Sequence, residues 1–166
     1  MRRNELFLEC GKIINEIIES YLFLITVRKK PKYFSRRGKM GFKNVILFIL
    51  NFGKKSLQIE LDNFFKTINK TNDGVKKQAF SEARQKVSPE AFIILQENII
   101  KKVYTATDLN LYKGYRLSAI DGSTIELQNT EELRKAFGYA ENGKEEIARA
   151  KISEIYDIEN NIIIDA

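Results

Sequence analysis

The feature that most constrains this chain is a change of hydrophobic period near Asp108. Before it, apolar residues recur at spacings of three and four, as on helices with one face toward a core. After it, isoleucines and leucines fall at short spacing among turn residues, the rhythm of strands. A 166-residue chain that changes period once in this way reads as α+β. The expected division is a helical domain over residues 1–105 and a strand-rich region over 106–166.

In the front region, Leu6, Ile13, Ile17 and Tyr21 predict one helix from Glu5 to about Val27. Arg28 to Lys39 contains Pro31 and Gly38 and reads as a basic loop. Phe42 to Asn51 is apolar on more than one side and is expected to be the most buried helix. Gly53 interrupts, and Ser56 is placed to cap a third helix carrying Leu57, Leu61, Phe64, Phe65 and Ile68. Thr71-Asn72-Asp73-Gly74 reads as a turn before a helix from Val75 to Val87, with Ala79, Phe80, Ala83 and Val87 on its inner side. Ser88-Pro89-Glu90 is the clearest start signal, opening a helix to about Tyr104 through Phe92, Ile93, Leu95 and Val103.

In the back region, Tyr115 to Leu127 reads as strand, bend and strand about Gly122. Thr130 to Phe137 is a short helical connection and Gly138 to Glu146 an exposed loop. Ala148 to Tyr156 and Asn161 to Asp165 are strands joined by a turn at Asp157-Ile158-Glu159-Asn160. Almost no helix is predicted to cover these strands, so the back region is expected to be an incomplete domain.

Charge separates the two regions further. Met1 to Ile120 holds 23 basic and 11 acidic residues, and Asp121 to Ala166 holds 5 and 11. Ten lysines and arginines and no acid lie between Tyr21 and Ile59. Such a stretch suits phosphates, since each neutralised phosphate releases condensed counterions; a solvated surface or an anionic lipid face explains it too. Cys10 is the only cysteine and histidine is absent, which excludes an intrachain disulfide and a Cys/His zinc site and fits a cytoplasmic location. The apolar runs Tyr21–Val27 and Val45–Leu50 are too short to span a bilayer, so no membrane partner is expected.

Asp121 is the chemical candidate. It follows Leu117-Ser118-Ala119-Ile120 and precedes Gly122-Ser123-Thr124, so a strand can present its carboxylate to a metal while the glycine allows close approach. Asp-Gly is also a common turn pair, and that alternative stays open.

The segment Lys113-Gly114-Tyr115-Arg116-Leu117-Ser118-Ala119-Ile120-Asp121-Gly122-Ser123 resembles the surroundings of the first catalytic aspartate in the DDE transposases of bacterial insertion sequences. Ala79 to Phe92 is similar to the segment those enzymes carry before their catalytic domain, and Ala150 to Asp157 with Asn161 to Asp165 resemble their second and third strands. The resemblance covers roughly Phe42 to the end. It implies a helical DNA-binding domain followed by the first strands of a ribonuclease H-like α/β domain in which two aspartates and a glutamate bind Mg2+. Asp121 corresponds to the first of those acids, as a metal ligand. Asp157 and Asp165 match neither of the others, so the chain by itself is expected to be inactive.

The resemblance also implies that the helical front binds double-stranded DNA at terminal inverted repeats, with a homodimer among the expected assemblies. Lys76, Lys77, Arg84 and Lys86 are placed to hold phosphates, and Gln78, Ser81 and Gln85 to read bases. A plain amphipathic surface helix is the alternative. Arg149 and Lys151 are further candidates for DNA contact near Asp121, or for balancing nearby acids. Two other functions remain open at this point: a stand-alone DNA-binding or regulatory protein without catalysis, and a self-associating structural module.

Overall fold

The computed structural model describes residues 3–36, 38–69, 74–106, 109–141 and 146–165. The protein is α+β: the described residues form seven α-helices and a four-stranded antiparallel sheet. They fall into two compact units, Met1–Ala106 and Thr107–Ala166.

The first unit contains α1 (Arg3–Glu19), α2 (Tyr21–Val27), α3 (Phe42–Leu50), α4 (Leu57–Asn69), α5 (Lys77–Arg84) and α6 (Glu90–Ala106). The single helix expected over 5–27 is two. Ser20 is extended (φ −67°, ψ 127°) and its hydroxyl accepts the Phe23 N–H at 3.4 Å. A serine that bonds the following turn competes with helix continuation, and the break sends Phe23 and Val27 into the core.

Helix α3 buries Phe42, Val45, Ile46 and Phe48. The Phe48 ring meets Phe52, Phe64 and Phe80 edge-on, with centroids 5.6, 5.4 and 4.7 Å away. Leu61 and Phe65 of α4, Phe80 and Ala83 of α5, and Ala91 and Leu95 of α6 complete this core. At the start of α4 the Glu60 carboxylate reaches back to accept the Lys55 N–H at 2.9 Å. It lies so close to Gly53 that a Cβ there would come within 2.6 Å of it. Thr71, Asn72 and Asp73 of the expected turn lie outside the described residues.

Helix α5 is shorter than the predicted 75–87. The Gln58 side chain clamps its entry, donating to the Val75 carbonyl at 3.1 Å and accepting the Lys77 N–H at 3.0 Å. Val75 is thereby held outside the helix and buried, whereas Ala79, expected on the inner side, is exposed. Helix α6 begins at Glu90, where Ser88-Pro89-Glu90 predicted it. Ile93, expected in the core, is exposed.

The second unit contains β1 (Ser118–Glu126), α7 (Glu131–Phe137), β2 (Tyr139–Glu141), β3 (Glu146–Asp157) and β4 (Ile162–Asp165). Strand β3 is the spine. It pairs antiparallel with β1 from Ser118↔Asp157 to Glu126↔Arg149, and its other side takes β2 at the start and β4 at the end. The bend expected at Gly122 does not occur. Gly122 stays in the ladder opposite Ser153, because a continuous partner strand satisfies its backbone. Part of the expected loop after Gly138 is strand β2, and residues 142–145 lie outside the described residues.

The β3–β4 turn is built on a buried acid. Asp157 is 0% exposed and accepts both the Asn160 N–H and its side-chain amide, at 3.2 and 2.9 Å. Asn160 in turn exchanges hydrogen bonds with the Asn110 backbone, tying the turn to the segment before β1. Among the described residues of this unit only Ala148 and Asp157 are buried. Ile120, Ile125 and Ile163 stand in solvent, so the sheet carries apolar side chains without a covering layer. No helix among the described residues is long and apolar enough to cross a membrane.

Candidate functional site

Two basic segments far apart in sequence meet in the helical unit. At the end of α2 the chain turns extended at Arg28, which forms an antiparallel bridge with Val87. The Lys29 N–H donates to the Lys86 carbonyl at 3.0 Å and the Ser88 N–H to the Val27 carbonyl at 2.7 Å. The bridge lays the basic loop 28–39 beside the exit of α5. Arg37 of that loop is outside the described residues.

The loop is anchored by its aromatic residues. Phe34 lies half-buried with its ring edge-on to Phe42 at 5.5 Å, and it holds φ at 59° to get there. A non-glycine residue in the left-handed region costs about 1–3 kcal/mol, which the packing must offset. Tyr33 turns its ring toward two ammonium groups, Lys30 at 5.9 Å and Lys86 at 6.0 Å from its centroid.

Along α5 the predicted residues separate. Lys76, the N-cap, and Lys77, Gln78, Arg84 and Gln85 are exposed, whereas Ser81 and Lys86 are half-buried. Lys86 lies beyond the helix, in the turn that leads to Val87. Among the described residues none of Lys30, Lys32, Arg36, Lys76, Lys77, Arg84 or Lys86 has a carboxylate partner. Elsewhere Lys12, Lys43, Arg134, Lys135 and Arg149 are paired with Glu9, Glu19, Glu146, Glu131 and Glu126, while Lys54, Lys55, Lys66, Lys101, Lys102, Lys113 and Lys151 also have no ion pair among the described residues but are more scattered along the chain. A concentration of unpaired cations is what a polyanion-binding face requires.

In the second unit Asp121 is exposed in the middle of β1, its Oδ1 accepting the Gly122 N–H at 2.8 Å. Glu154 stands directly opposite on β3. Two like charges facing across a ladder are unfavourable by a few tenths to about 1 kcal/mol. A divalent cation relieves that repulsion, but Mg2+ takes six oxygens in near-octahedral order. Among the described residues no group of three or more Asp, Glu, Cys or His side chains is gathered, so the set is short of a Mg2+ site.

Strand alternation puts Arg149 and Lys151 on the opposite face of the sheet from Asp121. Arg149 also donates to Glu126 across the ladder at 2.8 Å, balancing an acid as one of the two sequence readings had it. Lys151 is exposed opposite Thr124. Asp165 is exposed at the end of β4, and Asp157 is the buried turn acid described above.

Sequence reasoning passed over Gln58, Tyr33 and Glu154. Tyr33 carried a visible signal, an aromatic inside a run of cations. Glu154 carried none, because its position opposite Asp121 depends on strand register. The class defined so far is an α+β protein with a cationic helical unit and a sparsely covered antiparallel sheet. Comparison with family models, curated proteins and solved structures finds no match.

Proposed function

We propose that this protein is a DNA-binding protein of the DDE transposase type, whose helical unit grips duplex DNA at the terminal inverted repeats of a mobile element. The observation that carries this reading is the cluster of unpaired cations where the Arg28–Val87 bridge joins the basic loop to the end of α5. The unit Met1–Ala106 holds 21 basic and 10 acidic residues, a net of +11, while Thr107–Ala166 is net −5. Lysines and arginines position the duplex, and Gln78 and Gln85, both exposed, are the base readers.

In this reading the second unit is the opening of a ribonuclease H-like domain, for which the antiparallel β1–β3–β4 arrangement is suitable. Asp121 is one carboxylate of its metal site, whose ion in this reading is Mg2+. The residues beside Asp121 do not complete that site, so the chain alone binds DNA without cutting it. Binding of a labelled duplex should weaken steeply with salt, the logarithmic slope giving the number of phosphates neutralised. Affinity that is weak at low salt and indifferent to salt would defeat the proposal. Strand nicking by this chain with Mg2+, abolished by Asp121→Asn, would defeat the inactive-alone part of it.

A second reading keeps the DNA and drops the catalysis. It is favoured by the absence, among the described residues, of a three-ligand cluster around Asp121. A mobile-element end bound no more tightly than unrelated duplex would favour it over the first.

A further inference from the structure

Between the basic loop and the end of α5 lies a hollow of about 400 Å³. Lys32, Arg36 and Lys86 contribute charge to its lining, Tyr33, Phe34 and Ala83 contribute its walls, and no acid is among the described residues that line it. We propose that this hollow is a seat for one backbone phosphate of DNA, the fixed point from which the helical unit takes its register on the duplex. The inference rests on the DNA-binding reading and makes it specific to one place.

Three observations converge on it. First, the three cations come from both sides of the Arg28–Val87 bridge, so the seat exists only when loop and helix end are joined. Second, a fourth cation stands near them. The Lys30 and Lys86 ammonium groups both lie within about 6 Å of the Tyr33 centroid, with no carboxylate on either among the described residues. An anion in the hollow offsets this local excess of positive charge. Third, the loop is fixed before any ligand arrives: Phe34 is pinned on Phe42, and the Ser35 hydroxyl donates to the Lys32 carbonyl at 2.9 Å. Ordering cost is then small on binding.

The seat also says what Tyr33 does. With both ammonium groups near its ring, Tyr33 positions Lys30 and Lys86.

The test compares duplex binding by the full chain with that of Lys32→Ala/Arg36→Ala/Lys86→Ala and of a control that removes equal charge elsewhere, Lys54→Ala/Lys55→Ala/Lys66→Ala. Circular dichroism confirms that each variant is folded; if the triple change is not, the single changes Lys32→Ala and Arg36→Ala replace it, each expected to lose more than threefold, and Lys86→Arg keeps the charge as a rescue control. The triple variant should lose more than tenfold in affinity and flatten the salt slope by about 1 unit, the control should lose less than threefold, and Lys86→Arg should bind as wild type. Wild-type binding with equal losses in the two triple variants overturns the seat and leaves the DNA reading standing. No binding by wild type overturns both. Inorganic phosphate that stabilises wild type but not the triple variant, in a protein indifferent to duplex, assigns the hollow to a free anion and overturns the proposal.

Discussion

Asp157 is the residue whose loss should be felt most in the second unit, because it is a buried carboxylate in a unit with almost no buried apolar side chains. Asp157→Ala leaves the Asn160 N–H without its acceptor and the Asn160 amide with only the Asn110 carbonyl. Each buried donor left unmet costs about 1–3 kcal/mol, so chemical denaturation followed by near-ultraviolet dichroism should show a loss of that order; a shift below 0.5 kcal/mol would mean that water replaces the carboxylate. Cys10 offers a second residue-scale check. Burial on α1, followed by the Glu9 charge beside it, pushes its thiol above the ordinary range. Because the thiolate is the nucleophile, alkylation by iodoacetamide at pH 8 should run slower than for a free thiol and speed up on unfolding. Equal rates would remove that reading of its surroundings.

At the scale of elements, Gly138 decides how α7 hands over to β2. It ends the helix at φ +94°, its N–H donating to the Arg134 carbonyl and its carbonyl accepting from Arg149. Gly138→Ala forces a side chain into a conformation that favours glycine and should cost about 1 kcal/mol or more, read as a lower denaturation midpoint with an unchanged slope. What the sequence announced at this scale is what short-range chemistry controls. Ser88-Pro89-Glu90 started α6 where the capping pattern put it, and the Asp157–Asn160 turn separates β3 from β4 as the polar run predicted. What it hid depends on distant partners. Gln58 shortens α5 from nineteen positions upstream, and β3 keeps Gly122 in line when the local pattern suggests a bend. Ser20 lies between these cases, since a serine within an apolar rhythm gives no sign of whether it caps or is carried along. The candidate cations were legible singly; their gathering at one hollow was not.

For the whole molecule, the helical unit and its proposed DNA-binding face share one core. Phe48 is at its centre, and Phe48→Ala should destabilise the unit by about 3–5 kcal/mol, a large part of the stability of a small domain. Duplex binding should then decline in step with helicity as temperature rises. Binding that outlasts the loss of helicity would show that the cations act as an unstructured basic tail. Val87 and Val27, the neighbour of Arg28, are both buried in that core, so the Arg28–Val87 bridge is closed by the same packing that Phe48 organises.

That bridge also sets a timetable. Val87 is translated 59 residues after Arg28, which at ~5–20 residues per second is a delay of about 3–12 s. Throughout it the nascent chain carries its densest positive charge with no surface to organise it. A ribosome is a polyanion itself, so the emerging segment meets a competitor for the proposed phosphate contacts before its own α5 exists, and only closure of the fold gives that charge a shaped surface.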